Sequence, residues 1–169
     1  LEQRNDEAFS ILDPMLEWID PEPILESSII SIIQEDLNNS LEYISNYSPD
    51  ENNDEEYKQQ FESNINKLEC AIKFLIGIVS SAIAPSTLVD LLNQLDIINN
   101  MILICQNEKF EEIMSSASNL ISACAQFFEE TPDAPQYYQL CLLLLSNSTF
   151  DDEGIISFIS NYTEQSGNE

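Results

Sequence analysis

The stretch EEYKQQFESNINKLECAIKFLIGIVSSAIA, residues 55–84, decides the fold class. Its large apolar side chains recur at alternating spacings of four and three residues, which places them on one face of an α-helix. These side chains are Phe61, Ile65, Leu68, Ile72, Leu75 and Val79. Because most of the stability of such a helix comes from packing its apolar face, the stretch predicts a long helix buried against other helices.

The same helical spacing continues on both sides of this stretch. We predict seven helices, over residues 6–19, 21–47, 55–84, 85–106, 108–130, 133–146 and 152–162. Pro21 and Pro85 suit the first turn of a helix, and Asn107 and Asp151 suit the N-cap position. The sequence therefore predicts an all-α protein.

Two arrangements of these helices are compatible with the sequence. Residues 140–145 are apolar almost without interruption, which is typical of a helix that is buried on two faces. This favours antiparallel helix pairs stacked as a HEAT-like α-solenoid segment of about seven helices, and a compact helical bundle is the alternative. We expect residues 1–162 to form a single helical-repeat domain or fragment, followed by a frayed tail at residues 163–169.

The charge of the chain excludes several classes of function. The 169 residues include 31 acidic, 5 basic and no histidine side chains, giving a net charge of −26. This charge opposes binding to nucleic-acid phosphates and to anionic membranes. The absence of histidine excludes Ser-His and Cys-His catalysis and histidine metal ligands. We therefore predict a protein with no enzymatic activity, no cofactor or metal, and no direct contact with nucleic acid.

The cysteines and the uncharged segments indicate where the chain works. The four cysteines occupy apolar helical positions and form no CxxC pair, so we expect buried thiols in a reducing, intracellular compartment. The longest uncharged stretches contain 16, 16 and 17 residues, each interrupted by polar residues or proline. A membrane-spanning helix needs about 20 mostly apolar residues, so we predict no membrane insertion.

The acidic loop at residues 48–56 is the first candidate binding site. Its acidic residues are Asp50, Glu51, Asp54, Glu55 and Glu56. An EF-hand needs glycine at the sixth loop position and glutamate at the twelfth, where this chain has Glu55 and Phe61, so that interpretation fails. A solvated connection between helices, weak diffuse cation binding and docking of a basic partner all remain open.

Three segments of the chain resemble a known receptor family. They are ILDPMLEWI (residues 11–19) followed by ILESSII (24–30), the helix from FEEI to FFEE (110–130), and LLLLS with FDDE and IISF (142–158). In this order they resemble the importin-β superfamily of nuclear transport receptors, most closely the branch of exportins and transportin-SR-like importins. One departure is that Ser160-Asn161-Tyr162 stands where the family helix commonly ends in Phe-Trp.

This resemblance implies a non-enzymatic segment of a longer HEAT solenoid that shuttles between cytoplasm and nucleus. Such receptors use acidic surfaces for basic cargo and for the GTPase Ran. The implied partner-binding candidates are Asp50, Glu51, Asp54, Glu55 and Glu56 in the loop, and Asp151, Asp152 and Glu153 in a later turn. The alternatives are a HEAT-type scaffold, such as a phosphatase regulatory or chromosome-organising subunit, and a small free-standing helical regulator.

Overall fold

A computed structural model describes residues 29–48, 55–81, 84–129, 131–147 and 153–166, and within these ranges all regular structure is helical. The elements are α1 (Ile29–Asn46), α2 (Glu55–Val79), α3 (Pro85–Gln94), α4 (Ile97–Gln106), the 3-10 helix η1 (Glu108–Ile113), α5 (Met114–Phe128), α6 (Ala134–Asn147) and α7 (Glu153–Ser166). The all-α prediction is confirmed. The predicted helix over residues 6–19 and the start of the next one lie outside the described residues.

The helices pack both against neighbours along the chain and against helices further along it. The helix α1 packs against α2, α4 packs against α5, and α6 packs against α7. Between these pairs, α2 contacts α5, α5 contacts α7, and α4 contacts α6. Side-chain hydrogen bonds show that α1 and α2 are antiparallel, because Ser40 bonds to Asn64 whereas Tyr43, one turn later, bonds to Gln60. Because α5 contacts both α2 and α7, it joins the first helix pair to the last one.

The seam predicted on α2 is the centre of the core. Five of its six side chains are buried, and Phe61 packs against the core while staying half-exposed. A second face is buried as well, through Ala71, Phe74 and Ile78. On α1, Ile30 is buried, whereas Ile32 is 36% exposed. The burial of α2 on two faces fits its position between α1 and α5.

The single helix predicted over residues 85–106 is wrong, because the chain breaks at Leu95-Asp96. Asp96 has φ 50°, a left-handed conformation that aspartate tolerates better than most residues. Its carboxylate accepts a hydrogen bond from Asn99 at 2.7 Å. The break rotates α4 relative to α3, so Ile97 and Met101 are buried while Asn99 stays exposed. In an unbroken helix Ile97 and Met101 would lie on the face opposite Leu88 and Leu92.

The next prediction, one α-helix over residues 108–130, also needs correction at its start. Glu108–Ile113 forms a 3-10 helix, and the side chain of Asn107 accepts a hydrogen bond from the backbone N–H of Lys109, which confirms the predicted cap. The Lys109 ammonium in turn donates to the backbone carbonyl of Ser45 at 2.7 Å. That carbonyl lies in the last turn of α1, where a positive charge is favourable to the helix dipole. Lys109 therefore links α1 to η1 across 64 residues of chain.

Tyr137 organises the last helix pair. Its ring stacks on Phe128 of α5 at 4.7 Å and meets Phe158 of α7 edge-on at 4.8 Å. Its hydroxyl donates to the backbone carbonyl of Ile121. The helix α7 continues to Ser166, four residues beyond the predicted boundary of the tail, and only residues 167–169 of that tail lie outside the described part.

No single helix in the described ranges combines the length and the apolar composition that a membrane span needs. Only α3 and α4 taken together meet this test by length and composition, and they are bent by 56° at their break.

The contact between Lys109 and α1 predicts a measurable loss of stability on substitution. Lys109→Met removes a charge-assisted hydrogen bond and should lower the free energy of unfolding by about 1–2 kcal/mol. Lys58→Met is the matched control, since it removes the same charge from an exposed side chain of α2 and should cost less than about 0.5 kcal/mol. Urea denaturation followed by circular dichroism measures both. Equal losses would show that net charge, and not the carbonyl contact, is responsible.

Candidate functional site

The structure places the two predicted acidic sites on different helix pairs. Glu55 and Glu56 form the exposed first turn of α2, and Glu153 begins α7, which packs against α5 and α6. The other candidates, Asp50, Glu51, Asp54, Asp151 and Asp152, lie outside the described residues. Of the predicted set, only the start of α2 can therefore be built into a site with its surroundings.

Three tyrosines and a phenylalanine meet beside Glu55 and Glu56. We call Tyr43, Tyr47, Tyr57 and Phe61 the tyrosine cluster. Tyr47 stacks on Tyr57 with ring centroids 5.0 Å apart and 18° between the ring planes. Tyr47 also contacts Phe61 at 4.2 Å, and Tyr43 meets Tyr57 at 5.9 Å. All four rings remain partly exposed. The cluster therefore presents aromatic surface where the chain leaves α1 and enters α2.

The hydroxyl of Tyr43 is held as a hydrogen-bond donor. It donates to Oε1 of Gln60 at 3.2 Å. Loss of water contact, and then the neighbouring phenols of Tyr57 and Tyr47, raise the pKa of Tyr43 above its ordinary value of 10.0. The phenol thus stays protonated at neutral pH and fixes the edge of the cluster.

A groove continues from the tyrosine cluster along the surface between α1 and α2. We call it the α1–α2 groove; its volume is about 430 Å³. The lining residues used below are Ile32, Glu35, Asp36, Tyr43, Gln60 and Lys67. Ile32 is an exposed apolar side chain on the same helix face as Asp36 and Tyr43, because the spacings are four and seven residues. The groove thus has an aromatic end, an acidic centre and an aliphatic end.

Sequence inspection missed this site, although it contains a signal. Tyr43 and Tyr47 are four residues apart before the loop, and Tyr57 and Phe61 are four residues apart after it. Each pair lies on one side of its helix. Because an antiparallel hairpin brings the end of one helix beside the start of the next, the two pairs had to meet.

A second polar groove lies where α3, α4 and α6 meet. Asn93 donates to Asp133 at 3.2 Å, and Gln136 donates to Asn99 at 2.7 Å. These bonds satisfy the side chains within the fold and join the second helix pair to the third. Throughout the described ranges, no group of three or more cysteine, aspartate or glutamate side chains is arranged to hold a metal ion. The predictions of no metal and no cofactor stay predictions.

The cysteines pack in or against the core, and burial lowers the reactivity of Cys105 and Cys124. All four lie in the described residues and are in the thiol form; Cys105, Cys124 and Cys141 are buried, and Cys70 is half-buried. Burial raises the pKa of Cys124 to about 12 and that of Cys105 to about 11, from an ordinary 9.0. Since the thiolate is the reactive form, these two thiols are inert at neutral pH.

The raised pKa of Cys124 predicts a loss of stability at high pH. The unfolded thiol ionises near pH 9.0 and the folded one near 12, so stability is complete below about pH 9 and falls as pH rises towards 12. From pH 8 to pH 10.5 this group should cost about 2 kcal/mol. Urea titrations at both pH values, for the native chain and for Cys124→Ala, isolate the effect from tyrosine ionisation. If the free energy of unfolding depends equally on pH in the two proteins, the raised pKa of Cys124 is not the cause.

Comparison of the chain with protein-family models, with curated proteins and with solved structures gives no match. The likeness to the importin-β superfamily therefore rests on the sequence segments alone.

Proposed function

We propose that this chain is a non-enzymatic protein-binding segment made of stacked helix pairs, and that its first pair binds a basic protein. The observation that carries this proposal is the α1–α2 groove, which is lined by two carboxylates, an exposed aliphatic side chain and the ring of Tyr43. Through Tyr43 the groove adjoins the rest of the tyrosine cluster. Residues 29–79 contain ten acidic and three basic side chains, a net charge of −7. Complementary charge steers a basic partner to such a surface, and aromatic contacts hold it there.

The packing supports the solenoid as the frame of this surface. In a solenoid each repeat contacts its neighbours, and successive repeats stack in two parallel rows. Here α2, α5 and α7 contact one another in sequence, as one row would. The helices α4 and α6 pack together in the other row, and Gln34 of α1 donates to the backbone carbonyl of Gln94 in α3. We propose three stacked pairs, with α3 and α4 as the two halves of one broken repeat helix.

A narrower proposal follows from the family resemblance. As a segment of a nuclear transport receptor in the cytoplasm and nucleus, the chain would bind basic cargo or Ran. The acidic charge and the proposed stacking support this role, and they equally support a HEAT-type scaffold or a small helical regulator unrelated to transport. Dependence on the nucleotide state of Ran separates the first role from the other two.

The docking proposal predicts that neutralising acidic residues in the loop before α2 and in the first turn of α2 weakens binding of a basic peptide. The variant is Asp50→Asn, Asp54→Asn, Glu55→Gln and Glu56→Gln, and the probe is a fluorescein-labelled ten-residue peptide with five arginines and lysines. We expect a roughly ten-fold loss of affinity and a flatter salt dependence, because each surface ion pair contributes about 0.2–1 kcal/mol.

The matched control removes four at least partly exposed acids that lie outside α1, α2 and η1, through Asp90→Asn, Glu129→Gln, Asp133→Asn and Glu164→Gln. Both variants change the net charge by the same amount, so the control should lose about two-fold or less if the remaining long-range field is screened over about 8 Å. Lys67→Gln should strengthen binding, since it removes a positive charge from the groove. Equal losses in the two quadruple variants would exclude the hairpin as the docking site.

The transport proposal predicts capture that depends on Ran and its nucleotide. The full-length protein containing this chain should be retained by immobilised Ran loaded with a non-hydrolysable GTP analogue, and not by Ran loaded with GDP. Release of basic cargo by the GTP form would identify an importer, and cargo retained only with that form would identify an exporter. Equal behaviour with both nucleotides would leave a scaffold or regulator.

A further inference from the structure

We propose that the tyrosine cluster and the α1–α2 groove select arginine over lysine in an extended basic segment of the partner. This inference rests on the proposed function, and it adds the chemistry of the residue that is recognised and the spacing of the segment around it.

The aromatic end of the α1–α2 groove suits the planar guanidinium group of arginine. Tyr43 and Tyr57 are partly exposed, and their ring centroids are 5.9 Å apart. Glu56 lies on the same face of α2 as Gln60, which accepts the hydrogen bond of Tyr43. A guanidinium group is planar, so it stacks on an aromatic face while its N–H groups pair with a carboxylate. A lysine ammonium is compact and strongly hydrated, and it cannot make both contacts in the same geometry. Arginine therefore gains more from this end of the groove than lysine does.

Contacts within the fold hold the rings of the tyrosine cluster in place. Tyr57 stacks on Tyr47 at 5.0 Å, and Tyr47 contacts Phe61 at 4.2 Å. Phe61 in turn packs against the core. The hydrogen bond from Tyr43 to Gln60 holds the outer edge. Because the rings are already ordered, a stacking side chain pays little to arrange them.

The length of the α1–α2 groove sets the spacing of the residues in a peptide that fits it. Asp36 and Ile32 precede Tyr43 by seven and eleven residues, or about 10 Å and 16 Å along the helix at 1.5 Å per residue. An extended peptide advances about 3.3 Å per residue, so it covers these distances in about three and five residues. The segment that fits has arginine at the tyrosine cluster, a second basic residue about three positions away and an aliphatic residue about five positions away.

The test uses two labelled peptides with this pattern, one for each chain direction, and their counterparts with lysine in place of the arginine. Fluorescence anisotropy with the full chain should show about three- to ten-fold tighter binding of an arginine peptide than of its lysine counterpart. Moving the aliphatic residue two positions should also weaken binding, because it would then miss Ile32.

Two variants locate the selectivity. Tyr57→Leu keeps an apolar side chain but removes the ring, so it should abolish the preference for arginine and leave the salt dependence unchanged. Tyr138→Leu is the matched control, since Tyr138 stacks on Tyr162 at 4.7 Å in the last helix pair; it should keep the preference. This control loses a comparable stacked ring, so a general loss of stability would appear in both variants.

The outcomes separate this inference from the proposed function. Equal binding of the arginine and lysine peptides, lost on neutralising the acidic residues, would overturn the arginine inference and leave the docking proposal standing. Selectivity that survives Tyr57→Leu would also overturn it. Failure of every basic peptide to bind the native chain would overturn the docking proposal and the arginine inference with it.

Discussion

The constraint on which the structure depends is self-repulsion, because a chain of charge −26 must become compact. It does so by keeping charge out of its centre. The helix α5 contains no charged residue, and it lies between α2, α4 and α7. Residues 70–105 hold only two acids, Asp90 and Asp96, and both are exposed. Apolar burial is thus concentrated in the middle of the fold, and the acids are displaced to helix ends and outer faces, where a partner can reach them.

Two of the four described cations are used for contacts within the fold. Lys109 donates to the carbonyl of Ser45, and Lys73 pairs with Glu69, which also accepts a hydrogen bond from Ser116 of α5. Lys109 and Glu69 therefore each connect the first helix pair to the second. Three of the four described cations, Lys58, Lys67 and Lys73, belong to α2. Residues 29–79 nevertheless contain ten acidic side chains, so the hairpin of α1 and α2 stays acidic.

Periodicity predicted the helices and the buried seam of α2, because both follow from the 3.6-residue turn alone. It could not predict the break at Leu95-Asp96. Apolar residues follow the break closely enough to fit either a continuous or a rotated helix, and the choice depends on what α4 meets in α5 and α6. The tyrosine cluster was missed for a related reason: each tyrosine pair is visible in the sequence, but their contact depends on two helices being antiparallel. The predicted acidic residues Glu55 and Glu56 lie at the start of α2 and do not line the α1–α2 groove.

The acidic field and the tyrosine cluster act over different distances, and this division explains how a surface of this composition could be specific. A field of carboxylates attracts every cation and is screened within about 8 Å at physiological ionic strength, so it raises the rate of encounter more than it discriminates. Discrimination needs contacts of fixed geometry. Tyr47 and Tyr57 supply them because their positions are set by Phe61 and, through it, by the core. The apolar burial that overcomes the charge repulsion is therefore also what would make the acidic surface selective.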